Sequence, residues 1–384
     1  MKRREFLRGT AAGVLGSAAL TLAACTSATT EQGGLEDATD SSADAPSQGS
    51  ALPAVEWRIG TSWPISLDTI YGGAQTVAER VAAMTNGMFK LTPLPAGELF
   101  PGLEVLQNIQ QGTVEAGHTA AYYYVGLNSA LAFATSAPFG LTAQQQNAWL
   151  YHGGGLDAMR QVFAQFNVIN FPAGNTGTQM GGWFRNEINT LADLQGLRMR
   201  IPGLGGEVMV RLGVATQTIP GGEIYQALQT GAIDATEWVG PYDDQKLGFN
   251  EVADFYYTPG WWEPGPALDL QVSLDAYNKL PKEYQEILAA AAYTANIDML
   301  AKYDALNRIA LDELLTGGVQ LRTYSDEIMV AAQQASFELF EENAANNPDF
   351  KAVYEPWKEF RSKIYTWSQT NEQPFNIFVA NNPI

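Results

Sequence analysis

One structural unit is written into this chain twice. Val105-Leu-Gln107-Asn-Ile-Gln-Gln-Gly112-Thr-Val-Glu115-Ala116-Gly-His118 aligns with Ile224-Tyr-Gln226-Ala-Leu-Gln-Thr-Gly231-Ala-Ile-Asp234-Ala235-Thr-Glu237. Each copy reads as a short helix, a glycine free to take the left-handed turn at its end, an acidic-alanine pair and a short apolar strand. The repetition predicts two similar α/β lobes with a ligand cleft between them, where strand ends face each other. His118 and Glu237 hold equivalent positions and belong near the mouth of that cleft.

Strand and helix signals alternate around the first copy. Trp57–Trp63 reads as a strand entering a loop, and Leu67–Met84 as a helix stopped by Asn86-Gly87. Phe89–Leu94 is a second strand, 102–111 a second helix and 114–119 a third strand. The alternation favours an α/β fold with largely parallel sheets. From Pro281 the chain turns helical. Near its end Phe350, Val353, Trp357, Phe360, Ile364 and Trp367 recur at helical spacing. That stripe packs on its own lobe or docks on a second copy. Pro356, inside it, either kinks the helix or starts it.

The amino-terminal segment reads as an address. Arg3-Arg4 precede Phe6-Leu7, an apolar run fills 11–24, and Leu22-Ala23-Ala24-Cys25 follows. As a helix the run spans about 21 Å at ~1.5 Å per residue, short of a hydrocarbon core of about 30 Å. A signal peptide fits better than a spanning helix. The arginine pair resembles a twin-arginine export signal. Leu-Ala-Ala-Cys resembles a bacterial lipobox, cut before a Cys25 whose sulfur then carries lipid; the alternative is an ordinary signal with a chance cysteine. Cys25 is the sole cysteine, so no internal disulfide forms and the exported domain rests on its core. Residues 26–53 contain no aromatic side chain and are rich in Ser, Ala, Thr, Asp and Gly, the composition of a solvated tether. At about 5–6 Å × √n it reaches on the order of 30 Å.

A formal net charge of −19 argues against nucleic acid or an anionic lipid surface as the ligand. There is no P-loop, Gly-x-Ser-x-Gly or HExxH, and two histidines are too few for a histidine-rich metal centre. Gly203-Leu-Gly205-Gly206 lacks the spacing of a dinucleotide fingerprint. Glu237 and Glu263 read equally as an acid–base pair, as metal ligands or as surface charge.

The central stretch is denser in polar and aromatic residues. It carries Asn175-Thr-Gly-Thr-Gln179-Met-Gly-Gly-Trp183-Phe-Arg185 and Asp193-Leu-Gln-Gly-Leu-Arg198-Met-Arg200-Ile-Pro-Gly. Thr236-Glu237-Trp238-Val-Gly-Pro241 and Pro259-Gly-Trp261-Trp262-Glu263-Pro-Gly follow. From Trp57 to the C-terminus these motifs resemble the DctP-type substrate-binding subunits of TRAP transporters, and within them the subgroup that binds 2-oxo acids or lactate with a metal ion.

The resemblance implies a two-lobed α/β fold like that of periplasmic binding proteins, with an extended C-terminal helical segment. Lobe I would be 54–173 with a return segment at about 265–295, and lobe II 174–264 with a return at about 296–325. The C-terminal helices would be 326–384. Arg200 matches the arginine that pairs with the substrate carboxylate, a task suited to its planar fork. Arg198 shares its strand face and is the alternative, or a surface cation. Gln179 matches a residue touching substrate and metal; Glu237, the Trp238 carbonyl and Glu263 match metal ligands, and Trp238 also touches substrate. Tyr123 and Tyr124, with Tyr122, are candidates to close the pocket from lobe I.

Two glutamates, one arginine and a monocarboxylate leave a net −2, costly to bury uncompensated. All-oxygen ligation suits Na⁺ or Ca²⁺ rather than zinc. The implied function is non-enzymatic: a lipid-anchored extracytoplasmic protein presenting a 2-oxo or 2-hydroxy monocarboxylate, such as pyruvate or lactate, to transporter membrane subunits. A homodimer through the C-terminal helix is part of that expectation. The alternatives are an exported lipoprotein hydrolase using Glu237 and Glu263, and a metal-free carboxylate binder relying on Arg200 alone.

Overall fold

The computed structural model describes residues 52–383. The export signal, Cys25 and nearly all of the tether lie outside them. The first strands show why the chain layers as it does. In β1 (Val55–Thr61) Trp57 and Ile59 are buried while Glu56 and Arg58 are exposed, and in β2 (Phe89–Leu94) Phe89 and Leu91 alternate with exposed Lys90 and Thr92. Both strands lay one apolar face on the core.

The remaining strands are β3 (Ala116–Thr119), β4 (Val168–Asn175), β5 (Trp183–Phe184), β6 (Arg198–Arg200), β7 (Ala215–Gln217), β8 (Ala235–Thr236), β9 (Phe255–Thr258), β10 (Ala267–Ser273) and β11 (Gln320–Thr323). They form a five-stranded sheet, β2-β1-β3-β10-β4, and a six-stranded sheet, β7-β6-β8-β5-β9-β11. The two orders correspond strand for strand, with β11 added at one edge. The doubled unit sits at equivalent places. Helix Val105–Gln110 ends at Gly112 (φ 72°) before β3, and helix Ile224–Gln229 ends at Gly231 (φ 70°) before β8.

The sheets are mixed rather than largely parallel. β10 runs antiparallel to β3 and β4, and β5 antiparallel to β8 and β9. Both reversed strands are the ones that arrive from the other sheet. The chain crosses between sheets at 176–182 and returns at 259–266. These segments bind each other: Gln179 N–H donates to Glu263 O (3.1 Å), Gly260 N–H to Gln179 O (2.9 Å) and Thr178 Oγ1 to Pro264 O (2.8 Å).

A third crossing is the 35-residue helix Lys282–Thr316. Its Tyr284, Leu288, Ala291, Ala292 and Ala295 close a core with Trp57, Ile59, Phe171, Leu270 and Val272 of the first sheet. Farther along, Tyr303 Oη donates to Asp243 Oδ2 (2.6 Å), and Asn307 Oδ1 accepts from Tyr242 N–H (3.0 Å). The same helix is therefore fixed to elements of both sheets.

Helix Pro348–Thr370 starts at Asn347, whose side chain accepts from the N–H groups of Asp349 and Phe350. It runs through Pro356 without interruption, so that proline does not start it. Phe350, Val353 and Trp357 are buried, with Phe350 and Trp357 packed on Phe133 (ring centroids 5.0 and 5.2 Å). Phe360 and Ile364 are half-buried, whereas Trp367 is 59% exposed. In the following helix, Glu372–Asn381, Phe375, Ile377, Phe378 and Val379 are exposed as well. Among the described residues no helix is long and apolar enough to cross a membrane.

Candidate functional site

β6 and β8 are parallel neighbours, and Arg200 pairs in register with Thr236. The strands end side by side, so Arg200 and the next residue of β8's path, Glu237, meet at the same rim. Glu237 N–H donates to Arg200 O (3.2 Å). Gln179 and Glu263 come to this rim from the two hydrogen-bonded crossing segments. Four residues far apart in sequence are thus delivered by two strand ends and two crossovers.

These groups border a small pocket, with about 240 Å³ of free space that is partly open to solvent, lined by Trp63, Ile70, Tyr122, Tyr123, Thr176, Gln179, Arg200, Trp238, Val239 and Leu268. One wall is apolar, the other charged. Arg200 Nε donates to Ile219 O (3.1 Å); its Nη1 donates to Glu237 O (3.1 Å) and forms an ion pair with Glu237 Oε1. Its guanidinium lies 5.2 Å over the Trp238 ring. Tyr122 Oη donates to Glu263 Oε2 (3.3 Å), and Gln179 Nε2 donates to Thr176 Oγ1 (3.2 Å).

Four polar atoms in this buried shell have no protein partner: Arg200 Nη2, Trp238 Nε1, Glu237 Oε2 and Gln179 Oε1. Burial, opposed by Arg200 and reinforced by Asp244, pushes the Glu237 carboxyl up to about 7. Burial and the neighbouring Glu237 charge raise Glu263 well above the usual carboxylate range. Among the described residues no three His, Cys, Asp or Glu side chains cluster as a metal site. A cation here would rely on two carboxylates plus amide oxygens, a hard donor set.

Of the residues singled out from sequence, Gln179, Arg200, Trp238 and Tyr123 line the cavity, while Glu237 and Glu263 touch its lining residues. Tyr124 does not reach it. Its hydroxyl accepts from Leu106 N–H (3.2 Å) and pairs with Thr119 Oγ1 (3.1 Å), because in a helical turn adjacent side chains diverge; Tyr122 points inward instead. The arginine fork is also less free than expected, since only Nη2 is unpartnered. Arg198 is a surface cation, bound to Asp234 through Nε (2.9 Å) and Nη2 (2.6 Å).

His118 stands behind the site rather than in it. Nδ1 accepts from Trp63 Nε1–H (2.7 Å), so Nε2 carries the proton and donates to Ala173 O (3.1 Å). The glycines at 203–206 serve packing. A Cβ on Gly203 (φ 63°) would lie 3.0 Å from Tyr122 Cβ, and one on Gly205 2.8 Å from Trp262 Cβ. Trp63, Ile70, Thr176, Val239 and Leu268 carried no distinguishing sequence signal, being ordinary strand-end and core residue types.

At the rim, Asp68 joins the two sides. Its carboxylate accepts from Tyr242 Oη (3.2 and 3.3 Å) and Lys302 Nζ (3.0 Å) and pairs with Lys246. Partial burial would raise the Asp68 carboxyl, but the two lysines, Lys246 and Lys302, hold it down at about 2.

Two topologically matched sheets, joined by crossing segments beside a lined pocket, define a periplasmic-binding-protein fold. Residues 59–347 match DctP, the bacterial extracellular solute-binding protein family 7, and the chain belongs to that family. It is 59% identical, over the whole length of both chains, to a monocarboxylate 2-oxoacid-binding periplasmic protein of Nostoc sp.. A TRAP transporter solute-binding protein of Bordetella bronchiseptica, a mixed-occupancy dimer with copurified calcium and picolinate in a bound active site beside an apo site, superposes with a TM-score of 0.85. Identity there is 46%, covering 86% of this chain and 98% of that one. A TRAP periplasmic solute-binding protein of Pseudoalteromonas atlantica with bound sodium and pyruvate gives a TM-score of 0.81 at 36% identity, covering 84% and 98%. The family binds solutes outside the cytoplasm and is not enzymatic; the hydrolase reading of Glu237 and Glu263 has no support.

Proposed function

We propose that this protein captures a small 2-oxo or 2-hydroxy monocarboxylate together with Na⁺ or Ca²⁺ and presents it to the membrane subunits of a TRAP transporter. The observation that carries this reading is the pattern of unpartnered atoms. Two buried donors, the charged Arg200 Nη2 and the indole Trp238 Nε1, call for an anion, and two buried acceptors, Glu237 Oε2 and Gln179 Oε1, call for a cation. A carboxylate and a metal ion satisfy both demands at once. Glu237, Glu263, Gln179 and the Trp238 carbonyl would hold the ion; Arg200, Gln179, Trp238 and Tyr123 would hold the acid. A cation held there would offset the glutamates' negative charge and offer a ligand position to the oxygen beside the substrate carboxylate. The relatives that carry calcium with picolinate and sodium with pyruvate support this pairing. The apolar wall of Trp63, Ile70, Val239 and Leu268 suits a short aliphatic tail.

In this reading the first sheet belongs to lobe I (54–173, returning at about 265–295) and the second to lobe II (174–264, returning at about 296–325). Residues 326–384 are the helical extension. Arg3-Arg4 direct twin-arginine export, and a lipid on Cys25 tethers the protein to the membrane through 26–53. The exposed face of Trp367, Phe375 and Phe378 pairs two copies, a role supported by the dimeric Bordetella relative.

Calorimetry with pyruvate, 2-oxobutyrate and lactate, each with EDTA, Na⁺ or Ca²⁺, tests the site. Tight binding that requires a cation is the expected result. Full affinity in EDTA would leave only a metal-free carboxylate site.

A further inference from the structure

The Trp238 carbonyl and the Val239 N–H are two ends of one peptide group. Val239 N–H donates to Asp244 Oδ1 at 3.2 Å, and Gly240 N–H donates to the same oxygen at 3.1 Å. Asp244 Oδ2 accepts from Trp183 Nε1 (3.0 Å) and Tyr256 Oη (2.7 Å). Asp244 is 1% exposed, and its four donors come from β5, β9 and the turn before helix Pro241–Lys246. Burial pushes the Asp244 carboxyl up to about 6 against these four donors, so above that pH it stands as an anion in the interior.

In a planar trans peptide, N–H and C=O point in opposite directions. Anchoring Val239 N–H on Asp244 therefore aims the Trp238 carbonyl away from Asp244. An anion held at the N–H also draws electron density toward the carbonyl oxygen at the other end of the same unit, because linked hydrogen-bonded dipoles polarise one another. Both effects improve an oxygen as a ligand for a hard cation. Groups that orient a metal ligand typically change metal affinity by about 10–100-fold when removed.

We propose that Asp244 is the positioning residue of the cation site, orienting and polarising the Trp238 carbonyl through the peptide they share. The proposal rests on the reading that this carbonyl helps hold a cation. Asp244 touches neither acid nor ion; its charge also reaches Glu237 across the interior, and its aim on the carbonyl runs through that peptide. A purely structural role, closing the first turn of helix Pro241–Lys246, would affect folding and leave cation affinity alone.

Two measurements test it on the full folded protein. Asp244→Asn keeps an oxygen for the two backbone donors but removes the charge. Calcium affinity at saturating pyruvate should fall by about 10–100-fold, read beside the melting temperature in EDTA. A lowered melting temperature with unchanged calcium affinity would overturn the proposal. The second needs no variant. Trp238-Val239 is the only Trp-Val pair in the chain, so labelling Trp carbonyl carbon with ¹³C and Val nitrogen with ¹⁵N leaves a single coupled NMR signal. Adding calcium to the protein in the presence of pyruvate should move the Trp238 carbonyl carbon and shift the Val239 proton downfield together. A carbonyl shift without an amide shift, or no shift, would overturn the proposal. If wild-type binding ignored EDTA, the cation reading itself would fall, a result distinct from calcium-dependent binding that ignores Asp244→Asn.

Discussion

Arg200 and Glu237 form an ion pair with both side chains 1% exposed, and the pair is unfinished at both ends. Each half keeps one atom for something outside the protein. Breaking a buried pair by removing one partner leaves the other charge uncompensated, at about 3–5 kcal/mol. Arg200→Ala should therefore lower stability in urea melts by that order and abolish acid binding by calorimetry. Glu237→Gln, which keeps the shape and loses the charge, should also lose stability, because Arg200 is left unpaired, and should lose most of its cation affinity. An Arg200→Ala protein that binds pyruvate normally would remove Arg200 from the site.

The raised carboxyls give a pH signature. Glu237 and Asp243 sit at about 7 and Asp269 at about 8, all chiefly through burial. Folded carboxyls above their unfolded values hold more protons than the unfolded chain, so their contribution is full below about 4.5 and fades as pH rises through 7 to 8. Without metal, thermal stability should fall between pH 5 and pH 8. With a saturating cation the trend should weaken or reverse in that window, and cation binding near pH 6.5 should release protons. Melting curves in EDTA and in calcium, plus calorimetry in buffers of different ionisation enthalpy, check both statements.

Asp68 bonds across the rim to Tyr242, Lys246 and Lys302, and must release the groups of helix Pro241–Lys246 for the cleft to open. The carboxylate is about half exposed, so each link is worth only about 0.2–1 kcal/mol. Asp68→Asn should raise the acid off-rate a few-fold with a smaller change in on-rate. High salt should shrink the difference between variant and wild type. Stopped-flow fluorescence of Trp63 and Trp238, which line the cavity, provides the signal.

Trp367, Phe375 and Phe378 present aromatic surface to solvent at 59–66% exposure. Truncation after Thr370, or Trp367→Ser with Phe375→Ser, should convert a dimer into a monomer in sedimentation experiments while leaving pyruvate affinity unchanged. A wild-type protein that sediments as a monomer at high concentration would refute the pairing.

Much of the fold was legible because the chain repeats itself. A glycine at positive φ after a short helix is a local demand, so Gly112 and Gly231 announced matching units before strand partners were known. Strand direction was not legible. β5 and β10 run backwards because the chain enters them from the other sheet, a long-range fact that no window of sequence contains. In the site, Arg200 and Gln179 were found through motif resemblance, yet their spare atoms were visible only after packing had consumed the rest. Tyr124 was misplaced because three consecutive tyrosines in one turn look alike as letters and point to different places. His118 matched Glu237 in position and proved to be a hydrogen-bond partner for Trp63.

The helix Lys282–Thr316 is about 52 Å long at ~1.5 Å per residue, with one end embedded against the first sheet and the other tied to helix Pro241–Lys246. An unbroken helix resists stretching, so it behaves as a beam clamped to two bodies. Its far end leads through Gly317-Gly318 to β11, the outermost strand of the second sheet. Any rotation of one sheet against the other would have to bend this beam or carry it along, and the β11 edge with it.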